Sequence, residues 1–181
     1  MRGKCYCDKC RKTVEAVCPS CGRGLPIMNV TIDLIVEQAG RLWLVKRKAQ
    51  GWALPGGYVE YDETLEEAAM REGCEELGAK KVTLLSQFHA YGDPTRDPRR
   101  NVTVAYIAQV DRVAPDMASL REEGIEDVKA YPIEKLPPLV FDHGEIVADY
   151  LAFRRRLLPL KVRRAPCRAP RPRTPSRPSR P

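Results

Sequence analysis

The sequence predicts an α/β sandwich. Three features carry that reading: segments rich in alternating β-branched residues, two helices that each open on a capping box, and the mixing of strands and helices along the chain with no internal repeat. Residues 28–37 (MNVTIDLIVE) read as a strand, Ala39-Gly40 as a hairpin turn and 42–46 (LWLVK) as the returning strand. The segment 51–57 (GWALPGG) is interrupted by Gly and Pro and reads as a loop. Thr64 followed three residues later by Glu67 is a capping box, and Gly78 is a stop signal, so a helix is predicted over 65–77. Strands are predicted over 81–91 and 101–110, joined by a polar, Pro-rich loop. Residues 111–127 read as an acidic loop and 128–133 as a short strand. Asp142 and Glu145 form a second box, which opens a helix over 143–156.

Charge divides the chain into three parts. Residues 1–24 carry six Lys/Arg against Asp8 and Glu15, and residues 154–181 carry eleven Lys/Arg and no acid. The middle, 25–153, holds 14 basic and 22 acidic residues and nets −8, so the overall +7 describes only the ends. An acidic core suits a site that gathers divalent metal. The expected domains are 1–24, 25–156 and 157–181. After Leu158 the chain has seven prolines among Arg and Ser, a composition that cannot build a core, and this tail is expected to be disordered. The basic termini permit a weak nucleic-acid contact through phosphates, but no aromatic residue follows Phe153 to stack on a base. No run approaches the roughly 20 apolar residues needed to span a bilayer, so no membrane partner is expected.

Five of the seven cysteines fall within the first 21 residues. Cys7-x-x-Cys10 and Cys18-x-x-Cys21 are two CxxC pairs whose four thiolates suit tetrahedral Zn²⁺, with Cys5 as an alternative to Cys7. Four protein ligands leave no open position, so the predicted site is a structural zinc ribbon. The charged N-terminus has no apolar segment resembling a secretory leader, and a reducing cytoplasm is the expected location.

The densest signal is GYVEYDETLEEAAMREGCEELGA, residues 57–79. On the predicted helix Glu72, Glu75 and Glu76 stand at i, i+3 and i+4, which places three carboxylates on one face. Such exposed pairs repel by roughly 0.2–0.5 kcal/mol each, and a bound cation would reverse the sign. Hard oxygen ligands select Mg²⁺ or Mn²⁺. Arg71 beside them can orient a carboxylate through charge-assisted hydrogen bonds. Without this context, three glutamates on a helix would be a solvated acidic face. Cys74, His89, His143 and Trp43 are read as packing residues, and Trp52 as a candidate base contact.

This segment resembles the Nudix box, with Gly57, Glu63, Arg71, Glu72, Glu75, Glu76, Gly78 and Ala79 at the family's fixed positions and Gly73 where the family prefers an aliphatic residue. The resemblance extends more loosely over 28–153, including FDHGEIVADYL. It implies a Nudix-type α/β/α sandwich with a mixed sheet. The activity it implies is metal-dependent cleavage of a nucleoside diphosphate linked to another group. By position, Glu72, Glu75 and Glu76 would bind the metal, Gly57 would add its carbonyl, and Glu63 would hold the helix or metal-bound water. The general base would be a box glutamate, Glu75 or Glu76, or a residue of the later acidic loop, with Glu123 favoured over Glu122.

A second stretch, YGDPTRDPRR at 91–100, resembles the corresponding segment of ADP-ribose pyrophosphatases. Asp93, Pro94, Arg96, Asp97, Pro98 and Arg99 match, and Arg100-Asn101 replace Gly-His. Arg96 and Arg99 could clamp phosphate, and Asp93 or Asp97 could accept ribose hydroxyls; the plainer reading is an Asp-Pro turn with surface ion pairs. ADP-ribose, cut to AMP and ribose 5-phosphate, is therefore the expected substrate. The alternatives are an NADH or NAD-capped-RNA pyrophosphatase, whose SQPWPFPxS-like signature is missing here, and a non-catalytic ADP-ribose or nucleotide sensor. A homodimer is expected from the resemblance alone.

Overall fold

The computed structural model describes residues 3–7, 12–16, 28–93, 95–96 and 101–157. β1 (Gly3–Cys7) and β2 (Lys12–Ala16) form a two-stranded antiparallel sheet of their own. Cys10, Cys18 and Cys21 lie outside the described residues, as do the side chains of Cys5 and Cys7 and the tail from 158 onwards.

The main sheet is arranged on β3 (Val30–Gln38), whose β-branched alternation suits a strand buried on both faces. It turns through Ala39 and Gly40, with φ of 50° and 73°, into β4 (Arg41–Arg47). Positive φ at both positions is the type I′ geometry, whose twist matches that of a two-residue hairpin. The 51–57 segment, expected as a loop, contains two short strands. β5 (Gly51–Ala53) pairs with β4, and β6 (Gly56–Tyr58) pairs with β3. β7 (Val82–Tyr91) runs antiparallel to β8 (Val102–Val110), which lies parallel to β3. β9 (Ile125–Pro132) pairs with β4 on the side away from β5. The sheet is thus mixed, as expected.

Three helices complete the fold. α1 (Leu65–Leu77) occupies the predicted residues. Thr64 accepts from the Glu67 amide at 3.2 Å, Glu67 accepts from the Thr64 amide at 2.8 Å, and Gly78 closes the helix in the left-handed region. α3 (His143–Leu157) starts where the second predicted helix does, with the Asp142 carbonyl accepting from the Glu145 and Ile146 amides and the Asp142 carboxylate paired with Arg96. Within the segment expected as an acidic loop, α2 (Met117–Glu122) forms because Asp116 caps the Ala118 amide and Leu120 is buried against Val45, Ala53 and Ile125. Six residues with one apolar anchor are too few for a visible helical period. No described helix is long and apolar enough to cross a membrane.

Strand alternation assigns the two faces. Ile32, Leu34, Val36, Val104, Tyr106 and Ala108 pack with Ala68, Ala69 and Leu77 of α1. Ile35 and Ala105 pack with Ile146, Val147 and Tyr150 of α3. Each fully buried aliphatic side chain contributes roughly 1.5–3 kcal/mol relative to exposure. α3 is also fastened by polar contacts: Tyr150 donates to Glu37 at 2.8 Å, Arg154 pairs with Glu37 at 2.9 Å, and Tyr91 donates to Asp149 at 3.1 Å.

Gly73 acquires a steric reason. A Cβ there would lie 2.8 Å from Val82 Cγ2 and 3.1 Å from Leu34 Cδ1, so these neighbours leave little room for a side chain at position 73. Gly73→Ala is expected to lose by overpacking, about 1–3 kcal/mol, more than the ~1 kcal/mol gained in helix propensity. Urea denaturation should show a lowered midpoint, recovered in part by adding Val82→Ala. A raised midpoint for the single variant would refute the steric account.

Candidate active site

The site is built where the N-terminal loop of α1 passes the short edge strand β6. Gly56 and Gly57 are required there by close approach. A Cβ on Gly56, which has φ of 149°, would lie 2.1 Å from the Ile32 carbonyl oxygen; one on Gly57 would lie 2.2 Å from Glu72 Oε1. The Glu72 carboxylate therefore rests directly on the Gly57 backbone. One turn further on, Glu76 Oε2 accepts from the Gly56 amide at 2.8 Å. The i, i+4 spacing puts both carboxylates on the buried side of α1, with side chains 11% and 5% exposed, whereas Glu75 is 52% exposed.

Two arginines organise these acids. Arg71 donates to Glu63 at 2.7 and 3.0 Å, to Glu72 at 2.8 Å, to Glu75 at 3.0 Å and to the Tyr58 carbonyl at 3.0 Å. Glu63 in turn accepts from the Glu60 amide at 2.8 Å, fixing the loop that enters the helix. Arg47, at the end of β4, donates to Glu76 Oε1 at 3.1 Å and to the Gly56 carbonyl. The electrostatics follow from burial and pairing. Hydrogen bonds from Arg71 hold Glu63 below the usual carboxylate range and raise Arg71 itself. Burial pushes Glu72 upward against the pull of Arg71. Burial, with Glu72 adding to it, pushes Glu76 up to about 8 despite Arg47.

These residues fit a hard divalent cation. Two buried carboxylates whose ionisation is opposed by burial, a half-exposed third and an adjacent backbone carbonyl are oxygen donors that a cation would relieve. Among the described residues no three acidic or imidazole side chains already converge as a cage, since Arg71 and Arg47 occupy the carboxylates. Mg²⁺ typically completes such partial sets with water and substrate phosphate.

The opposite side of Gly56 and Gly57 carries a second polar group. A cavity of about 210 Å³ is lined by Thr31, Asp33, Arg47, Gly56, Gly57, Tyr58, Thr103, Asp142 and His143 among others. Asp33 is buried in β3, and desolvation raises its carboxyl pKa. His143 Nδ1 accepts from the Leu54 amide at 2.8 Å, and Nε2 stands 3.7 Å from Asp33 Oδ1. Thr31 and Thr103 hydroxyls meet at 2.6 Å.

The structure thus brings Gly57, Glu63, Arg71, Glu72, Glu75 and Glu76 together. Glu123 sits at the C-terminal cap of α2, exposed, and among the described residues no contact joins it to the box carboxylates. Its neighbour Gly124 accepts from the Lys48 amide at 2.7 Å, which holds this loop beside the end of β4. Asp97 and Arg99 lie outside the described residues. Asp93 caps its own turn, accepting from the amide and hydroxyl of Thr95. Arg96 is 6% exposed, paired with Asp142 and bonded to the Asn101 carbonyl, so its guanidinium is engaged within the protein. Trp52 packs edge-on against Tyr131, with centroids 4.9 Å apart, and lies half-buried against the α3-side core. Arg47, Asp33 and the bond made by His143 escaped the sequence reading. A lone carboxylate inside an apolar strand is a signal that could have marked Asp33.

The model of the NUDIX domain matches residues 28–150. An ADP-ribose pyrophosphatase from Methanocaldococcus jannaschii is 34% identical over 131 residues, 69% of this chain and 74% of its own. The NAD-capped RNA hydrolase NudC of Chromobacterium violaceum is 30% identical over 126 residues, 66% of this chain and 46% of its own. Among solved structures, the NUDIX domain of Shewanella oneidensis NrtR, complexed with ADP ribose, is similar with a TM-score of 0.58 and 26% identity, covering 74% of this chain and 90% of that one.

Arg71 is the hub of the box. Arg71→Lys keeps the charge but cannot bond Glu63, Glu72 and Glu75 from one planar fork. Divalent-ion affinity, read by calorimetry, should fall about 10–100-fold, and Arg71→Ala should do at least as much. Unchanged affinity in both variants would show that the carboxylates are held without it.

Proposed function

This chain belongs to the NUDIX family and is a Nudix hydrolase, and on that premise we propose that it uses Mg²⁺ or Mn²⁺ to split the diphosphate of a nucleoside diphosphate linked to another group, with ADP-ribose as substrate and AMP and ribose 5-phosphate as products. The observation that carries the reading is the pair of buried carboxylates, Glu72 and Glu76, pressed against the Gly56–Gly57 backbone. A protein that only bound a nucleotide would have no need of this costly pair. The bound cation would polarise the diphosphate, offset developing charge and acidify an attacking water.

The residues of the chain do the rest. Glu72, Glu75, Glu76 and the Gly57 carbonyl hold the ion, and Arg71 and Glu63 hold the carboxylates. The proton acceptor is Glu123, whose loop is tied beside β4, or a box glutamate. The cavity beside Gly57, with Thr31, Thr103, Asp33 and Asp142 on its walls, offers hydroxyl and carboxylate partners that suit a ribose better than an unpaired base. The relative named an ADP-ribose pyrophosphatase and the NrtR domain complexed with ADP ribose support that choice. Asp93 or Asp97 is assigned to the ribose hydroxyls and Arg96 and Arg99 to the phosphates, with Arg96 paired with Asp142 in the conformation described.

The decisive assay incubates the full chain with ADP-ribose, NADH and NAD-capped RNA, each with Mg²⁺ or Mn²⁺, beside Glu76→Gln. AMP release from ADP-ribose should require the ion and fall by on the order of 100-fold or more in the variant. Preference for NADH or capped RNA would move the substrate assignment to the relative named a NAD-capped RNA hydrolase. Binding of ADP-ribose without turnover would make the chain a sensor.

We also assign Cys7, Cys10, Cys18 and Cys21 to one structural zinc. The CxxC spacing supports this, and Cys7 closes the first strand of the β1–β2 hairpin. Elemental analysis of chain purified without added metal should find about one zinc per molecule. Cys18→Ser with Cys21→Ser should abolish it, and a zinc-free wild type would remove the ribbon.

A further inference from the structure

We infer that His143, the first residue of α3, is a positioning residue for the divalent-ion site, acting through the backbone of residues 52–57. The inference rests on the reading of Gly57, Glu72 and Glu76 as that site.

The segment between β5 and β6 is pinned along its length. Its outer end is fixed by backbone, with the Val140 amide donating to the Trp52 carbonyl at 2.9 Å and the Leu34 amide to the Pro55 carbonyl at 2.8 Å. Three side chains bond the backbone of the segment. Arg47 takes the Gly56 carbonyl, Glu76 takes the Gly56 amide, and His143 takes the Leu54 amide. The first two belong to the box machinery. His143 comes from the opposite face of the sheet, 89 residues away in sequence.

Its geometry suits an anchor. The side chain is 8% exposed, and Leu54 is wholly buried, so the Leu54 amide has no water to turn to if the imidazole is lost. Because Nδ1 accepts, the ring hydrogen must sit on Nε2, which faces Asp33 at 3.7 Å. Asp33 is itself paired across the ladder with Gly56. One imidazole therefore spans from the incoming backbone to the strand beneath the glycines. Three residues after Leu54 the Gly57 backbone meets the Glu72 carboxylate with no room for a Cβ. A slack Leu54 would let that contact open, and with it the oxygen donors of the ion. Groups that orient metal-holding elements in this way typically change affinity 10–100-fold when removed.

The two ring nitrogens can be tested separately. In His143→Asn the amide oxygen falls near Nδ1 and can still accept from Leu54; in His143→Gln the amide reaches instead toward the Nε2 position; His143→Leu does neither. We would titrate Mn²⁺ into the full-length wild type and the three variants, follow hydrogen exchange at the Leu54 amide, and record thermal midpoints alongside. Asn should stay within about 3-fold of wild type for Mn²⁺, while Gln and Leu weaken by about 10-fold or more and lose Leu54 protection. Equal Mn²⁺ affinity in all four proteins would overturn the inference and leave His143 a packing residue. So would an Asn variant as weak as Leu with Leu54 still protected. Should Leu fail to fold, the Asn and Gln comparison decides alone. A wild type that binds no Mn²⁺ while Leu54 is protected would instead reject the ion-site reading on which the inference rests.

Discussion

The arrangement depends on one close approach: the Glu72 carboxylate lies where any side chain at position 57 would lie. A carboxylate can be buried against backbone only if something offsets its lost hydration. The neighbouring Gly56 cannot carry a side chain either, since its Cβ would meet the Ile32 carbonyl. The two glycines thus let β6 lie flat on β3 while α1 lies flat on β6. Both halves of the site, acids from the helix and backbone from the strand, follow from that double contact.

Burying Glu72 and Glu76 side by side is unfavourable in isolation, and the chain offsets it with cations of its own. Arg71 bonds three glutamates and a carbonyl from a single guanidinium, and Arg47 bonds Glu76 and the Gly56 carbonyl. The compensation is partial. Burial still pushes the Glu76 carboxyl up despite Arg47, so its ionised form remains under-compensated. A site left in that condition has a standing affinity for positive charge, which the net −8 of the middle of the chain extends outward. Structure and electrostatics are therefore set by the same residues: the arginines make the fold tolerable, and their incomplete success leaves the carboxylates able to take a divalent ion.

What the sequence disclosed and what it hid divide by range of interaction. The capping box at Thr64 and Glu67, the Gly78 stop and the i, i+4 glutamates involve residues three to fourteen positions apart, and the local pattern contains all the physics. The Leu54–His143 bond and the Arg47–Glu76 pair join residues 89 and 29 positions apart. Nothing near His143 in sequence says which amide it meets, so it read as an ordinary packing histidine. Arg96 shows the same limit from the other side: its Asp-Pro-rich surroundings do not disclose that its guanidinium meets Asp142, 46 residues away, and the Asn101 carbonyl. α2 was invisible for another reason, being held by one capping aspartate and one buried leucine.

β3 shows why these long-range contacts are nevertheless specified. Its even residues, Ile32, Leu34 and Val36, face α1, and Ile35 faces α3. Asp33 shares the parity of Ile35, which puts the only charge in the middle of the strand on the His143 side. A one-residue slip of register would drive that carboxylate under α1, among Ala68, Ala69 and Leu77, and turn Ile32, Leu34 and Val36 toward the α3 face in exchange. The apolar alternation of the strand therefore does more than form a core. By fixing which face Asp33 occupies, it decides that acids from α1 reach the Gly56–Gly57 backbone while the imidazole from α3 holds Leu54 from the other face. Catalytic geometry is in this sense a consequence of strand parity, and the alternation that betrayed the strand in the sequence is the same property that assembles the site.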